Sequence, residues 1–247
     1  MYDIIGDIHS CGTEFVDLLM KLGYHKVGNT HFVHPEGRQV ALVGDITDRG
    51  WHPYFVFPLI ERMKEEGSLI MVKGNHDDKL ERWAKGNKVQ LLHGLDATVL
   101  SLEKANISKE RVLDLFKSVP YFLVLDDSKL VIVHAAWKDR YVDRDPFSKK
   151  CRSWCIFGPT TGKIINGLPD RIDWAVKREL DKSSPIVVHG HQPVKEVRIL
   201  NKVWNIDTGC AFGGRLTALR YPEMELVYVD ALHTYCFREG WGNGRKT

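Results

Sequence analysis

The 247-residue sequence lacks a disulfide framework, a long apolar run and a leader-like N-terminus. Its five cysteines include no C-x-x-C pair, which favours reduced thiols in an intracellular protein. No apolar run approaches the roughly 18 residues that span a bilayer. No basic stretch leads into an apolar segment, as a secretory signal requires. The sequence therefore predicts a cytoplasmic protein with no membrane partner.

The sequence also has little excess of charge of either sign. Lysine and arginine number 35, aspartate and glutamate 32, and the formal net charge is +3. Charges are scattered, and no basic stripe interleaved with aromatic residues indicates an extended nucleic-acid surface. No G-x-x-x-x-G-K-[ST] loop of the kinase type occurs, so the sequence does not predict a complete kinase–phosphatase. The composition, with 43% hydrophobic residues, is typical of a globular chain with a sizeable core.

Strand-like and helix-like segments alternate in the first part of the chain. We predict strands at 2–5, 39–43 and 68–72, and helices at 13–22, 54–65 and about 76–85. This alternation favours a parallel sheet layered by helices. Residues 91–118 are amphipathic and helical, and we expect a cap over about 86–118.

The second half of the chain has a different pattern. Two strands at 121–125 and 130–133 flank a turn-like segment and predict a hairpin. Residues 138–170 are rich in charge, glycine and proline and are predicted as loop, and 173–180 as helix. Five strand-like segments follow, at 186–188, 197–200, 203–206, 216–221 and 226–229, which predicts an antiparallel or mixed sheet. We expect one domain over 1–235 and a tail over 236–247.

Polar residues of metal-ligand type follow five of the predicted strands. These strand ends carry Gly6-Asp7-Ile8-His9, Gly44-Asp45-Ile46-Thr47-Asp48-Arg49-Gly50, Gly74-Asn75-His76-Asp77, His134 and His189-Gly190-His191. Ligands of open α/β sheets bind at the carboxyl ends of the strands, so these side chains are expected to converge. Carboxylate, amide and imidazole ligands without thiolate suit manganese, iron, nickel, cobalt or zinc better than calcium or magnesium. Two cations roughly 3.5–4 Å apart are a recurring arrangement for phosphoester hydrolysis.

These runs resemble the G-D-x-H, G-D-x-x-D-R-G and G-N-H-[DE] signatures of the calcineurin-like phosphoprotein phosphatase superfamily. His134-Ala135-Ala136 and Gly190-His191-Gln192-Pro193 are similar to its later ligand segments. Two further segments, 158–162 and 207–219, resemble the phosphatase module of bacterial polynucleotide kinase–phosphatases and stand-alone bacterial phosphatases of bis(5'-nucleosyl)-tetraphosphatase type. The resemblance implies an α/β, four-layer fold, with a central mixed β-sandwich flanked by helices and a helical cap.

The resemblance also implies a ligand set for two divalent metal ions. One ion is expected on Asp7, His9 and Asp45, and the other on Asp45, Asn75, His134 and His191, with Asp45 bridging. Manganese is the first expectation for the metal, and nickel, iron, cobalt and zinc stay open. A metal-activated hydroxide is the implied nucleophile.

The implied catalytic residues lie beside these ligands in the sequence. Arg49 is expected to bind phosphate, His76 to protonate the leaving oxygen, and Asp48 to orient His76. Asn75 and Arg152 are further candidates for substrate binding, although Arg152 could equally be a solvated loop charge.

Three features leave alternatives open. Asp207 is either hydrogen-bonded to a ligand histidine or a turn residue, and His189 is a possible neighbour of the site. In Ala136-Trp137 the chain departs from the family, whose members usually carry glycine at the first of these positions. The methyl group and the indole could therefore reshape one wall of the site.

The predicted function is hydrolysis of phosphate esters of nucleotide type: dinucleoside polyphosphates, 2',3'-cyclic or terminal phosphates. The alternative is a protein phosphatase acting on serine, threonine or tyrosine. A remote third hypothesis, a non-catalytic metal-binding scaffold, is disfavoured because Asp48, Arg49 and His76 are all present. The partner is thus expected to be a small phosphorylated molecule, and the oligomeric state is left open.

Overall fold

Two five-stranded sheets form the centre of the fold, in a computed structural model that describes residues 1–28, 31–165 and 167–241. The strands of these ranges are β1 Tyr2–Ile5, β2 His25–Val27, β3 His31–Val33, β4 Gln39–Leu42, β5 Leu69–Met71, β6 Phe122–Leu125, β7 Leu130–Val133, β8 Thr160–Ile165, β9 Leu168–Arg171, β10 Ile186–His189, β11 Arg198–Leu200, β12 Val203–Asn205, β13 Arg215–Tyr221 and β14 Glu225–Asp230. The helices are α1 Gly12–Lys21, α2 Pro53–Glu65, α3 Asn75–Ala84, α4 Leu95–Lys104, α5 Lys109–Lys117 and α6 Lys149–Phe157, with short 3-10 helices at Asp139–Tyr141 and Cys210–Phe212.

Each large sheet contains three adjacent parallel strands, which lie at one side of the first sheet and in the middle of the second. The first sheet has the order β14-β13-β1-β4-β5, in which β1, β4 and β5 are parallel and β13 and β14 are antiparallel additions. The second has the order β11-β12-β10-β7-β6, in which β12, β10 and β7 are parallel. The β6–β7 pair is the predicted hairpin, which is confirmed. Small hairpins β2–β3 and β8–β9 lie apart from these sheets.

The two sheets pack face to face through alternate residues of their strands. On β1, Ile4 enters the cluster between the sheets, while Ile5 points to the helices on the other side. On β7, Ile132 faces the first sheet and Val133 faces the outer layer that contains α6. Because side chains alternate across a strand, each buried strand contributes to two layers of core. The fold is therefore the four-layer α/β sandwich that was predicted.

Helices α1 to α5 cover the outer face of the first sheet. Helix α1 buries Phe15, Leu18 and Leu19 on one face, as its spacing predicted. Helices α4 and α5 fill the predicted cap region and bury Leu102, Val112 and similar side chains in the same core. None of the helices in the described ranges is long and apolar enough to cross a membrane.

Two sequence-based predictions of secondary structure are wrong. The segment 138–170 is not all loop, because Cys151, Cys155 and Ile156 are buried along one side of α6, and β8 and β9 follow. The segment 173–180 is turns rather than a helix. Its side chains bond to distant backbone instead: Trp174 Nε1 donates to Ala135 O at 3.1 Å, and Arg178 donates to backbone oxygens of two other loops.

Candidate metal centre

The carboxyl ends of strands from both sheets meet at one edge of the sandwich. Asp7 and His9 follow β1, Asp45 follows β4, and Asn75 follows β5. His134 follows β7 and His191 follows β10, so the second sheet supplies the remaining predicted ligands. A hydrogen bond from backbone to side chain joins the two sheets here: His191 N donates to the carboxylate oxygen Oδ2 of Asp7 at 3.1 Å, although 184 residues separate them.

Asp45 belongs to both clusters of ligand-type side chains in the described ranges. The potential donor atoms of His9, Asp45 and His76 lie within 4.8 Å of one another, as do those of Asp45, His134 and His191. Asp45 Oδ2 lies 3.7 Å from His9 Nε2 and 3.4 Å from His134 Nε2. One carboxylate thus lies between imidazoles of two groups, as a shared ligand requires.

The second group also includes the amide that the sequence predicted. Asn75 Oδ1 lies 3.0 Å from His134 Nε2, and His191 Nδ1 lies 3.0 Å from the same nitrogen. His134 is held from behind, because its Nδ1 lies 2.9 Å from the carbonyl oxygen of Val43. In the first group, the Nδ1 of His9 lies 3.0 Å from the carbonyl oxygen of Thr47. These backbone bonds leave the Nε2 atoms of His9 and His134 facing Asp45.

The ligand-bearing turns have unusual backbone conformations. His9, Asp45 and His191 have φ values of 46°, 51° and 71°, and Asp48 and Arg49 have 70° and 66°. Non-glycine residues rarely occupy this left-handed region, where each costs of order 1–3 kcal/mol. Such strain persists when the surroundings fix the turn, and here it aims the side chains of five residues into one space.

Two glycines make room for the carboxylates. A Cβ atom on Gly74 would lie 2.1 Å from Asp45 Oδ1, and one on Gly190 would lie 1.9 Å from Asp7 Oδ1. The absence of a side chain at these positions is therefore a steric requirement for the placement of both carboxylates.

The electrostatics of the centre fit a divalent cation. Burial, then the charges of Asp207 and Asp45, raise the pKa of Asp7 well above its usual value. Burial also opposes the charge of Asp45, yet the neighbouring His134 and His76 bring its pKa well below the ordinary value. Within the described part of the chain, His191 Nε2 is buried and has no hydrogen-bond partner. A cation would offset the repulsion between the carboxylates and occupy an unpaired imidazole nitrogen, so these residues fit a metal.

A second layer of polar residues adjoins the first group. His76 Nδ1 lies 2.5 Å from Asp48 Oδ2, which is consistent with Nδ1–H donating to the carboxylate. His76 Nε2 faces Arg49, with 3.3 Å between it and Nη2 of the guanidinium. The three residues predicted to act in acid catalysis and phosphate binding therefore lie together beside Asp45.

Thr98, which the sequence did not single out, holds Asp48 in place. Its hydroxyl donates to Asp48 Oδ1 at 2.7 Å and accepts from Asp48 N at 3.1 Å. Thr98 lies on α4, in the cap, and is 50 residues from Asp48. No local motif marks it, because its role depends on where α4 packs.

Asp77 is a second positioning residue, and the sequence assigned it no role although it lies in a quoted motif. Its carboxylate accepts from the backbone N–H groups of Asp45 at 2.8 Å, Ile46 at 3.0 Å and Gly74 at 2.8 Å. It thereby ties the Asp45 turn to the start of α3. Burial, followed by the charge of Asp45, raises the pKa of Asp77 to about 6.

Arg152 lies on α6 and forms a forked ion pair with Asp78, with Nε 2.6 Å from Oδ1. It is therefore not a solvated loop charge, and its role in substrate binding stays a prediction. Asp207 Oδ1 accepts from Gly209 N at 3.1 Å, as a turn residue does, while its charge acts on Asp7. Burial and the charge of Asp45 raise the pKa of Asp207 to about 6, although the hydrogen bond from Gly209 and the charge of His134 act in the opposite direction.

Neither His189 nor Trp137 projects into the metal centre. His189 lies against the indole of Trp174, with ring centroids 5.5 Å apart. Trp137 packs on Phe122 in the outer core, and Ala136 is fully buried in the same core. The departure from the family at Ala136-Trp137 thus changes the layer behind His134.

Comparison with known proteins agrees with this geometry. A family model described as calcineurin-like phosphoesterase matches residues 2–229. A protein of Anoxybacillus flavithermus named bis(5'-nucleosyl)-tetraphosphatase PrpE [asymmetrical] is 43% identical over 241 residues, which cover 95% of this chain and 96% of that protein. A relative with the same name from Bacillus thuringiensis is 43% identical over 237 residues, covering 93% of this chain and 94% of the relative.

Solved structures share the fold at low sequence identity. The structure of a candidate diadenosine tetraphosphatase matches with a TM-score of 0.64 and 19% identity, covering 93% of both chains. A serine/threonine phosphatase from Saccharomyces cerevisiae matches with a TM-score of 0.62 and 14% identity, covering 93% of this chain and 79% of that one.

Proposed function

The chain belongs to the calcineurin-like phosphoesterase family, and on that premise we propose that it is a two-metal hydrolase that cleaves nucleotide polyphosphates. The reaction proposed is asymmetrical cleavage of a dinucleoside tetraphosphate into a nucleoside triphosphate and a nucleoside monophosphate. The name of the relatives that are 43% identical over most of the chain supports this substrate class.

One observation carries the proposal: the Asp48–His76–Arg49 chain lies directly beside the shared carboxylate of Asp45. A protein that only stores or senses metal has no need of a guanidinium and an oriented imidazole next to its ligands. A phosphohydrolase needs both, one for the phosphoryl oxygens and one for the leaving oxygen.

Asp7, His9, Asp45, Asn75, His134 and His191 are the residues that would hold two divalent ions, with Asp45 shared. Bound cations would lower the pKa of a coordinated water and offset charge on the phosphoryl oxygens. We favour manganese for the ions, because oxygen and imidazole ligands without thiolate suit it.

The side chains of the chain itself then orient substrate and move a proton. Arg49 presents its fork to two phosphoryl oxygens, a geometry that matches phosphate better than an ammonium does. His76, with Nδ1–H bonded to Asp48, gives a proton from Nε2 to the leaving phosphate oxygen. In the free protein Nε2 faces Arg49 as an acceptor, so it takes up this proton once Arg49 binds phosphate. Asp48 keeps the ring oriented, while Thr98 keeps Asp48 in place.

The experiment that tests this function compares four substrates with manganese supplied. We expect diadenosine tetraphosphate to be cleaved faster than a 2',3'-cyclic nucleotide, a 3'-phosphate or a phosphopeptide, with ATP and AMP as products. Asp45→Asn is the matched control for activity that does not come from the metal centre. It is nearly isosteric but removes the shared charge, so it should cleave none of the four substrates. A phosphopeptide cleaved faster than the tetraphosphate, or ADP as the product, would contradict the proposal.

A further inference from the structure

The last described segment of the chain runs back over the metal-centre edge of the sandwich. We call residues 231–241 the C-terminal strap. Its backbone is held at its start and in its middle: Ala231 N donates to Gly214 O at 2.8 Å, and Cys236 N donates to Ala211 O at 2.9 Å. Residues 236–241 were predicted as part of a tail, and residues 242–247 lie outside the described ranges.

Side chains anchor the strap as well. The Tyr235 hydroxyl donates to the buried carboxylate of Glu14, with 2.7 Å to Oε1, and Leu232 N donates to the same oxygen at 2.9 Å. Trp241 lies over Gly209, where a Cβ atom would come within 2.2 Å of its ring. The strap thus has a defined path, and that path ends beside the loop that carries Asp207.

This path brings a second arginine beside the phosphate-binding one. The guanidinium carbon of Arg49 lies 5.1 Å from the ring centroid of Phe212, and that of Arg238 lies 5.3 Å from the same centroid. Arg49 Nη1 also lies 3.7 Å from the sulfur of Cys236, two residues before Arg238 on the strap. Both guanidinium groups therefore lie against the same buried ring, close enough for one extended anion to contact both.

Arg171 of β9 adds a third charge to this neighbourhood. Burial and the charge of Arg238 lower the pKa of Arg171, and the charge of Arg171 acts in turn on His191. Burial lowers the pKa of Arg238. The negative charge of Asp207 opposes this effect, and the positive charge of Arg49 adds to it. Several guanidinium groups thus repel one another at the edge of the metal centre.

The cluster also has hydrogen-bonding capacity to spare. Among the described residues, Arg49 Nε is buried and makes no hydrogen bond. Arginines that crowd together with an unpaired donor are unfavourable in the free protein, and an anion with several charges would relieve both the repulsion and the unpaired donor.

We propose that Arg238, presented by the C-terminal strap, is a substrate-binding residue that holds the phosphate next to the one bound by Arg49. The strap thereby selects phosphoanhydride chains over phosphomonoesters. This inference rests on the proposed phosphohydrolase function and specifies the part of the substrate that is recognised.

Inorganic tripolyphosphate tests the inference without a nucleotide. Its inhibition constant is measured against p-nitrophenyl phosphate hydrolysis, beside that of orthophosphate, with free manganese held constant. In Arg238→Ala, we expect the tripolyphosphate constant to rise about tenfold more than the orthophosphate constant, because one charge-assisted contact to the longer anion is lost. Arg62→Ala, which removes an exposed arginine of α2 paired with Glu65 and Glu66, is the matched control and should change neither constant.

Equal changes in the two constants, or no change in either, would overturn the inference. If Arg238→Ala lowers the melting temperature so far that the enzyme is inactive, Arg238→Lys decides. It keeps the charge and loses the fork, so weaker selectivity for tripolyphosphate supports the inference and unaltered selectivity refutes it. Because the probe contains no nucleoside, the outcome is separate from whether diadenosine tetraphosphate is the substrate.

Discussion

At the scale of single residues, Thr98 offers a selective test of the Asp48–His76 pair. Thr98→Val keeps the shape of the side chain and removes both hydrogen bonds to Asp48. We expect kcat to fall roughly 10- to 100-fold, because a hydrogen bond to a charged group is worth roughly 1.5–3 kcal/mol. Steady-state kinetics with saturating manganese measure the change. The control is Thr13→Val, on the exposed side of α1, which should leave kcat unchanged. A wild-type kcat in Thr98→Val would argue that Thr98 does not hold Asp48 in its catalytic position.

His76 can be distinguished as an acid by varying the leaving group. In His76→Ala, we expect the rate on an alkyl phosphate to fall about 10²–10⁴-fold, and the rate on p-nitrophenyl phosphate to fall much less. A good leaving group departs without a proton, so only the poor one depends on the imidazole. Equal losses on the two substrates would show that His76 acts as a ligand or a structural residue, since its ring also lies near His9 and Asp45.

The sequence indicated the candidate ligands and catalytic residues better than the residues that hold them in place. The predicted ligands Asp7, Asp45 and His134 stand in short motifs at strand ends, where spacing and residue type carry the signal. Thr98 carries no such signal, because its contact with Asp48 arises from the packing of the cap on the first sheet. Asp77 was visible in the motif, but its bonds to three backbone N–H groups depend on the fold of the Asp45 turn.

At the scale of elements, the turn after β10 sets the position of Asp7. Gly190→Ala would place a methyl group 1.9 Å from Asp7 Oδ1, so we expect Asp7 to be displaced and manganese affinity to fall. A loss of 10- to 100-fold is about what disturbed ligand support costs a metal site. Isothermal titration of metal-free protein with manganese measures the affinity.

Gly67→Ala is the control for this substitution. A Cβ atom at Gly67 would meet no atom within 4 Å. Because Gly67 has a positive φ, the substitution lowers the stability of the folded protein without displacing a neighbouring side chain. Manganese affinity should therefore be unchanged in Gly67→Ala. Full affinity in Gly190→Ala would mean that Asp7 does not contribute to the metal centre.

Elements with an apolar period were predicted well, and those fixed by distant contacts were not. Strand β7 matches its predicted bounds because all four of its residues are apolar and buried. Helix α1 lies within one residue of its predicted bounds because one of its faces is strongly apolar. Helix α6 was not predicted, because the segment around it is rich in charged residues, glycine and proline. Its only helical signal was the spacing of Cys151 and Cys155, which lie one helical turn apart on its buried side. The segment 173–180 has helical composition, but bonds from Trp174 and Arg178 to other loops hold it in turns.

At the scale of the whole molecule, the sandwich brings together two groups of predicted metal ligands. The first sheet supplies Asp7, His9, Asp45 and Asn75, and the second supplies His134 and His191. Because Asp45 alone appears in both clusters of the described residues, the packing of one sheet on the other sets the distance between the two groups. The family resemblance implied both the ligands and their division into two groups. The sequence did not predict that His76 would lie in the first cluster with His9 and Asp45.

The most direct test of a shared two-metal centre is the metal content of the protein. Wild-type protein that has been reconstituted with manganese and desalted to remove unbound metal should hold two ions per chain. Inductively coupled plasma mass spectrometry measures this content. His191→Ala should hold one tight ion, because it loses a ligand of the second group only, and both preparations should lose phosphatase activity on chelation. A wild-type content of one ion or none at full activity, or activity that persists after the metal is removed, would contradict the two-metal site.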